Sequence, residues 1–223
     1  DRLRQLERGV ALGLDDEFLH QYRIAIRRSR AIAESVQDVT GDKSLAKGVK
    51  TLKRHARATG PLRDFHVFLQ DLPELCADDA EIRAALQIWF EREAASHHKK
   101  LAKRLKSKRY QDSLEHWRNL IDSRKFQKLA ATLRPKDIRR AVERRIKEFN
   151  KRTAELMHTS PDEDIHRLRK QLKRIRYLME LDAKTWKRNL KTLKERQELY
   201  GRFQDLHVQI LLLDQFRQAA PEV

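Results

Sequence analysis

The chain has 223 residues, with 50 Lys and Arg against 33 Asp and Glu, a net charge of +17 and a pI near 10.2. A field of that size attracts polyanions, which puts phosphate-rich partners ahead of neutral or cationic ones. A lone Cys76 excludes an intrachain disulfide and a cysteine-held zinc, no run reaches the ~18 apolar residues that span a bilayer, and the opening DRLRQLERG has no signal-peptide core, so a reducing, cytoplasmic setting is expected.

Gly (6) and Pro (5) are scarce, and no window alternates apolar and polar residues long enough for a strand, so the fold reads as all-α. In chain order, apolar periodicity predicts helices over 1–12, 17–38, 43–59, 63–71, 79–107, 109–122, 137–158, 162–182, 186–200 and 203–218. Gly41 follows the second, Gly60 and Pro61 end the third, Pro73 ends the fourth, and Ser160-Pro161-Asp162 opens the helix that carries His166. Residues 132–136, TLRPK, read as the seam between two halves, 1–133 and 134–223, of a single domain. The missing initiator methionine points to a piece of a longer chain.

Two stretches repeat. HQYRIAIRRSR at 20–30 and HRLRKQLKRIR at 166–176 both begin with histidine and place cations three, seven, eight and ten residues later. LKRHARATGPLRDFHVFL at 52–69 matches LKERQELYGRFQDLHVQI at 193–210 at a constant offset of 141, pairing Gly60 with Gly201, Asp64 with Asp205 and His66 with His207. Duplication of a helical unit predicts two similar bundles related by an approximate two-fold axis.

On a helix, Arg23, Arg27 and Arg30 share a face with His20, while Tyr22, Ile26, Ala33 and Val36 project from the other side. In the second copy Arg169, Lys173 and Arg176 share a face with His166, opposite Leu168, Leu172, Ile175 and Met179. A cationic helix face is ordinarily a solvated one. Here, however, neither ladder contains an acid from its histidine to its last arginine, and like charges at these spacings cost a few tenths of a kcal/mol per pair. Keeping them twice points to an anionic ligand that offsets the repulsion. Lys50, Lys53 and Arg57, with Arg54 beside them, add a second basic helix, and Lys187, Lys191 and Lys194 answer in the other half. With Arg63 and Arg202 these residues are expected to line one groove. Arginine forks and compact lysine charges together suit a flexible polyphosphoryl chain.

The pattern H-x-x-R-x-x-x-[RK]-R-x-R, the G-x-x-x-D-x-H-V element and their duplication resemble the CHAD family, the conserved-histidine α-helical domain, over almost the whole chain. The resemblance implies two four-helix bundles in pseudo-two-fold symmetry around a basic central surface, and binding of inorganic polyphosphate. Several members associate with polyphosphate granules, so the resemblance implies a cytoplasmic chain that can associate with such granules. The motif carries over to His20, Arg23, Arg27, Arg28 and Arg30, and to His166, Arg169, Lys173, Arg174 and Arg176. The repeat is imperfect where Arg63 matches Gln204 and Arg57 matches Glu198, which implies a larger contribution from the first half.

His20, Asp64 and His66, with their counterparts His166, Asp205 and His207, are poor metal ligands, because residues two apart on a helix point about 200° from each other and the surrounding cations repel a metal. Asp64 and Asp205 read instead as partners of arginines or helix starts. Arg54-His55-Ala56 sits in mid-helix, away from the strand-to-loop setting of a histidine phosphatase, and KKLAKRLKSKR at 99–109 reads as a solvated basic helix end. No P-loop, nucleotide-binding glycines or nucleophile elbow is present, so the chain is expected to be no enzyme and to need no cofactor. The alternative is nonspecific binding of nucleic acid, RNA included. Aromatics are 7%, and Phe18, Tyr22, Phe68 and Trp89 fall at core positions, leaving Tyr177 near the second ladder as a stacking candidate. Replacing Arg23, Arg27 and Arg30 with alanine is expected to weaken ligand binding while sparing the fold.

Overall fold

The computed structural model describes residues 2–219. Among these, ten helices and no strand are present: α1 (Arg2–Leu12), α2 (Asp16–Thr40), α3 (Ala46–Ala58), α4 (Gly60–Leu75), α5 (Ala80–Lys106), α6 (Lys108–Ile121), α7 (Arg124–Ala131), α8 (Pro135–Ala154), α9 (Asp162–Glu180) and α10 (Lys187–Ala219). No helix of the described residues is long and apolar enough to cross a membrane.

The helices depart from the periodicity reading at three places. The residues around Gly201 continue one helix of 33 residues where a glycine break was expected. A side chain at Gly201 would meet nothing within 4 Å, so this glycine serves no close approach, and its cost of about 1 kcal/mol relative to alanine is absorbed. The fourth helix starts at Gly60 rather than 63, with Pro61 in its first turn where a missing N–H leaves no bond unmade, and it runs past Pro73 to Leu75. The segment 124–131, outside every helix expected from periodicity, is a helix that Ser123 caps by accepting from the Phe126 amide at 3.2 Å. At eight residues it is only about two turns long, and none of its residues is fully buried.

The chain forms two compact units. Of the described residues, the first comprises 2–28, 50–117 and 206–219, and the second 29–49 and 118–205. Residues 132–136 link α7 to α8 within the second unit.

The first unit is built on aromatic packing. Phe68 of α4 stacks on Phe90 of α5 with ring centroids 4.0 Å apart, and Trp89 meets Phe216 of α10 edge-on at 5.6 Å. Tyr22 and Phe68 are fully buried, as their periodic positions predict, whereas Phe18 is half-buried against Gly9, where a β-carbon would overlap its ring. A polar chain runs through this core. The Tyr22 and Tyr110 hydroxyls bond each other, and the Tyr110 hydroxyl donates to Glu7 Oε1 at 2.9 Å. Burial pushes the pKa of both phenols up, so they stay neutral donors.

In the second unit Ile138, Ala141 and Val142 of α8 pack with Ile175, Leu178 and Met179 of α9, and Val39, Phe149 and Trp186 close the cluster. Each of these buried side chains removes apolar surface worth about 25 cal/mol per Å2. At its edge Arg145 grips Asp38 with two bonds, Nε to Oδ2 at 3.1 Å and Nη2 to Oδ1 at 2.5 Å. Gly41, at φ +73°, ends α2 in the left-handed conformation, and its amide donates to the Gln37 carbonyl.

Candidate functional site

The two basic ladders lie on α2 and α9, and in both helices the residues between the cations are core. Tyr22, Ile26, Ala33 and Val36 are at most 3% exposed, as are Leu168, Leu172, Ile175 and Met179. The buried stripe fixes each helix's rotation and leaves the cations on the other face.

The rungs are not equivalent. Arg28 and Arg174 are exposed and have no carboxylate partner among the described residues. Arg27 and Lys173, at matching positions, are half-buried. The last rung of each ladder meets a glutamate one turn beyond the motif: Arg30 Nε lies 3.6 Å from Glu34 Oε1, and Arg176 Nε lies 3.2 Å from Glu180 Oε1. Arg176 also donates to Gln197 Oε1 at 2.7 Å and covers the Tyr177 ring at 4.7 Å. These glutamates lie just past the stretch in which the ladder is free of acids, which is why the motif itself does not reveal them.

Arg23 is drawn furthest inward. Its Nη1 donates to Thr59 Oγ1 at 2.7 Å and to the Ala56 carbonyl at 3.2 Å, tying the ladder helix to the α3–α4 junction. Burial lowers its pKa to about 10, with Asp64 acting in the opposite direction. Asp64 therefore acts on Arg23 through its charge. Its neighbour His66 has its Nδ1 3.0 Å from Asp16 Oδ1, at the start of α2.

The ladder histidines see different surroundings, and the difference falls on a repeat-equivalent pair. Near His20 stands Arg63, which after burial is the largest influence holding the ring's pKa below its ordinary value. In the second unit the matching residue, Gln204, bonds His166 Nδ1 through its side-chain oxygen. That bond favours the protonated ring, against burial and the field of Lys170, Arg169 and Lys173, which together lower its pKa. Both rings are therefore mainly neutral near pH 7, and each becomes a better anion donor on gaining a proton.

Lys50, Lys53, Arg54 and Arg57 are exposed along α3, and Lys187, Lys191, Lys194 and Arg202 along α10, while Arg63 is half-buried. Arg54 and Arg57 also line a cavity of 470 Å3 with Arg104 and Arg109, two cations from the stretch read as a solvated helix end. Among the described residues no group of three or more His, Cys, Asp and Glu side chains is placed to hold a metal ion.

The CHAD domain family model matches residues 1–214. Among solved structures, the crystal structure of the CHAD domain from the plant Ricinus communis is similar at a TM-score of 0.78 and 26% identity, covering 99% of this chain and 76% of that one. A search of curated proteins returns no match. With a helical architecture shared with that domain and a family match over nearly its full length, the chain belongs to the CHAD family.

Proposed function

We propose that this chain is a non-catalytic binder of inorganic polyphosphate, held by the cationic faces of α2 and α9 and by the exposed lysines and arginines of α3 and α10. One observation carries the reading. Each ladder is a run of cations without an internal acid, on a helix whose opposite face is locked in a core. Cations so fixed cannot rotate away from each other, and a chain of phosphoryl groups relieves their repulsion, most of all at the exposed rungs Arg28 and Arg174, which no carboxylate meets among the described residues. Membership of a family associated with polyphosphate binding supports the same ligand.

Polyphosphate fits better than nucleic acid. A single strand of RNA gains much of its affinity from stacking on open aromatic faces, and Tyr177, the aromatic nearest the second ladder, is half-buried with Arg176 over its ring. Binding of this kind would place the protein at polyphosphate granules, with no chemical step of its own. The test is a titration with long-chain polyphosphate, single-stranded RNA and duplex DNA over a series of salt concentrations. Affinity for all three falls with salt. Polyphosphate must remain the tightest near physiological ionic strength, and equal binding of RNA would refute the assignment.

A further inference from the structure

The 470 Å3 cavity lies wholly within the first unit, between α3, the end of α5 and the start of α6. Its volume is in the range of small-molecule sites, about 300–1,000 Å3. Arg54 and Arg57 enter from α3, Arg104 from the last turn of α5 and Arg109 from the first turn of α6, and no carboxylate lines it. All four arginines are exposed, and none has a carboxylate partner among the described residues; Arg54 donates to Thr51 Oγ1 at 3.0 Å. Four guanidinium groups around one concavity repel one another unless an anion sits among them.

The backbone adds to this field. Ser107 separates α5 from α6, and its carbonyl accepts from the amides of Tyr110 and Gln111 at 3.0 and 3.1 Å. The amino-terminal end of α6, a helix of 14 residues, therefore borders the cavity with its positive pole.

His55 forms part of the wall and is 6% exposed. Ser113 Oγ donates its one hydrogen to the Tyr110 carbonyl at 2.7 Å, so it accepts from His55 Nε2, also at 2.7 Å. The neutral ring thus carries its proton on Nε2, and Nδ1 is a buried lone pair with no partner. The groups facing the ring are Arg54 from its own helix, Arg104 from α5 and the Tyr110 ring from α6, in a T-shaped pair with centroids 4.8 Å apart. The hydroxyl of Tyr110 is committed to Glu7 and Tyr22. Burial, then Arg104 and Arg54, hold the His55 pKa at about 4. A dianion among the four arginines would offset much of their field at the ring and make Nδ1 easier to protonate.

We propose that this pocket binds a terminal phosphoryl group, and that its occupation favours the protonated form of His55. A terminal group carries up to two charges near neutral pH, which suits four converging guanidinium groups. It could belong to a small free phosphate compound or to the end of a polyphosphate chain. The site is independent of whether the ladders bind polyphosphate.

The test follows the His55 ring resonances of the whole chain by NMR from pH 4 to 8, alone, with pyrophosphate and with long-chain polyphosphate, the signals being assigned with His55→Gln. Pyrophosphate should raise the His55 pKa by about one unit or more. The double variant Arg104→Gln/Arg109→Gln changes two exposed side chains and should bind pyrophosphate more than about tenfold less tightly. In Arg27→Gln/Lys173→Gln, altered in both ladders, the response of His55 to pyrophosphate should persist, which separates this site from the polyphosphate reading. A response to pyrophosphate alone supports the site with a small phosphate compound as occupant, and a response to both ligands adds the chain end. A His55 titration unmoved by either ligand, or a double variant that binds pyrophosphate like the unmodified chain, overturns the proposal.

Discussion

Arg23 Nη1 and Thr59 Oγ1 lie 2.7 Å apart, and this bond joins the first ladder to the junction of α3 and α4. Thr59 is 1% exposed and passes its own hydrogen to the Ala56 carbonyl at 2.8 Å, so Arg23 supplies the donor that its oxygen would otherwise lack. By spacing, Arg23 is one rung among equals and its loss should spare the fold; by geometry it is a clamp.

Arg23→Ala should therefore destabilise the chain by about 1–3 kcal/mol, because it leaves a buried acceptor unpaired. For a chain of this size that is a fall in Tm of roughly 2–12 °C. Arg28→Ala, at an exposed rung, should change stability by less than about 0.5 kcal/mol. Thermal melts of the two variants give the comparison, and equal Tm values would show that Arg23 is not structural.

The exchange of Arg63 for Gln204 across the repeat gives each ladder histidine its own titration. Arg63→Gln removes a cation near His20 and should raise that ring's pKa toward its ordinary value. Gln204→Arg removes a bond that favours the protonated ring and adds a positive charge, so the His166 pKa should fall further. NMR titration of the two imidazoles reads both shifts. A ring that does not move, or that moves against its expected direction, would mean that these neighbours do not govern the rings.

Acid should weaken the fold through its histidines. His20, His55, His66, His97 and His166 all have pKa values below their ordinary one, with burial the largest cause in each. Unfolding raises these values, so the unfolded chain takes up protons first, and the stabilisation present above pH ~6.5 is lost as the pH falls toward the folded-state values. For His55, at about 4 in the folded chain, the loss is roughly 3 kcal/mol between pH 6.5 and 4. Denaturant melts across that interval should show a shallower decline for His55→Gln than for the unmodified chain. Parallel declines would mean that the ring is not held neutral by the fold.

Much of this was legible in the sequence, and the losses have physical causes. The ladders and their buried faces follow from a period of 3.6 residues, and the helix stop at Gly41 from a residue that tolerates positive φ. The matched glycines of the repeat misled, because Pro61 follows Gly60 while Arg202 follows Gly201, and it is the proline that resets the helix. The pocket cations escaped because a charge run reads as solvated until the turn at Ser107 brings Arg104 and Arg109 to one cavity with Arg54 and Arg57. That turn was visible between the helices expected at 79–107 and 109–122, but not what it faces. The contacts of Gln204 and Gln197 come from residues 38 and 21 positions along the chain, a distance over which periodicity carries no information.

The exposed rungs should register in the salt dependence of binding. Each cation that neutralises a phosphoryl group releases counterions, so Arg28→Gln and Arg174→Gln should each lower the slope of log affinity against log salt by roughly 1. An unchanged slope would place these arginines outside the contact.

The most direct measurement is the affinity for long-chain polyphosphate at about 0.15 M salt, for the unmodified chain and for Arg27→Gln/Lys173→Gln, with single-stranded RNA of matched phosphate number as competitor. We expect tight binding that RNA does not displace, and a loss of more than about tenfold in the double variant with its helicity intact. Full affinity in the double variant, or displacement by RNA at equal phosphate concentration, would contradict polyphosphate binding by the ladders.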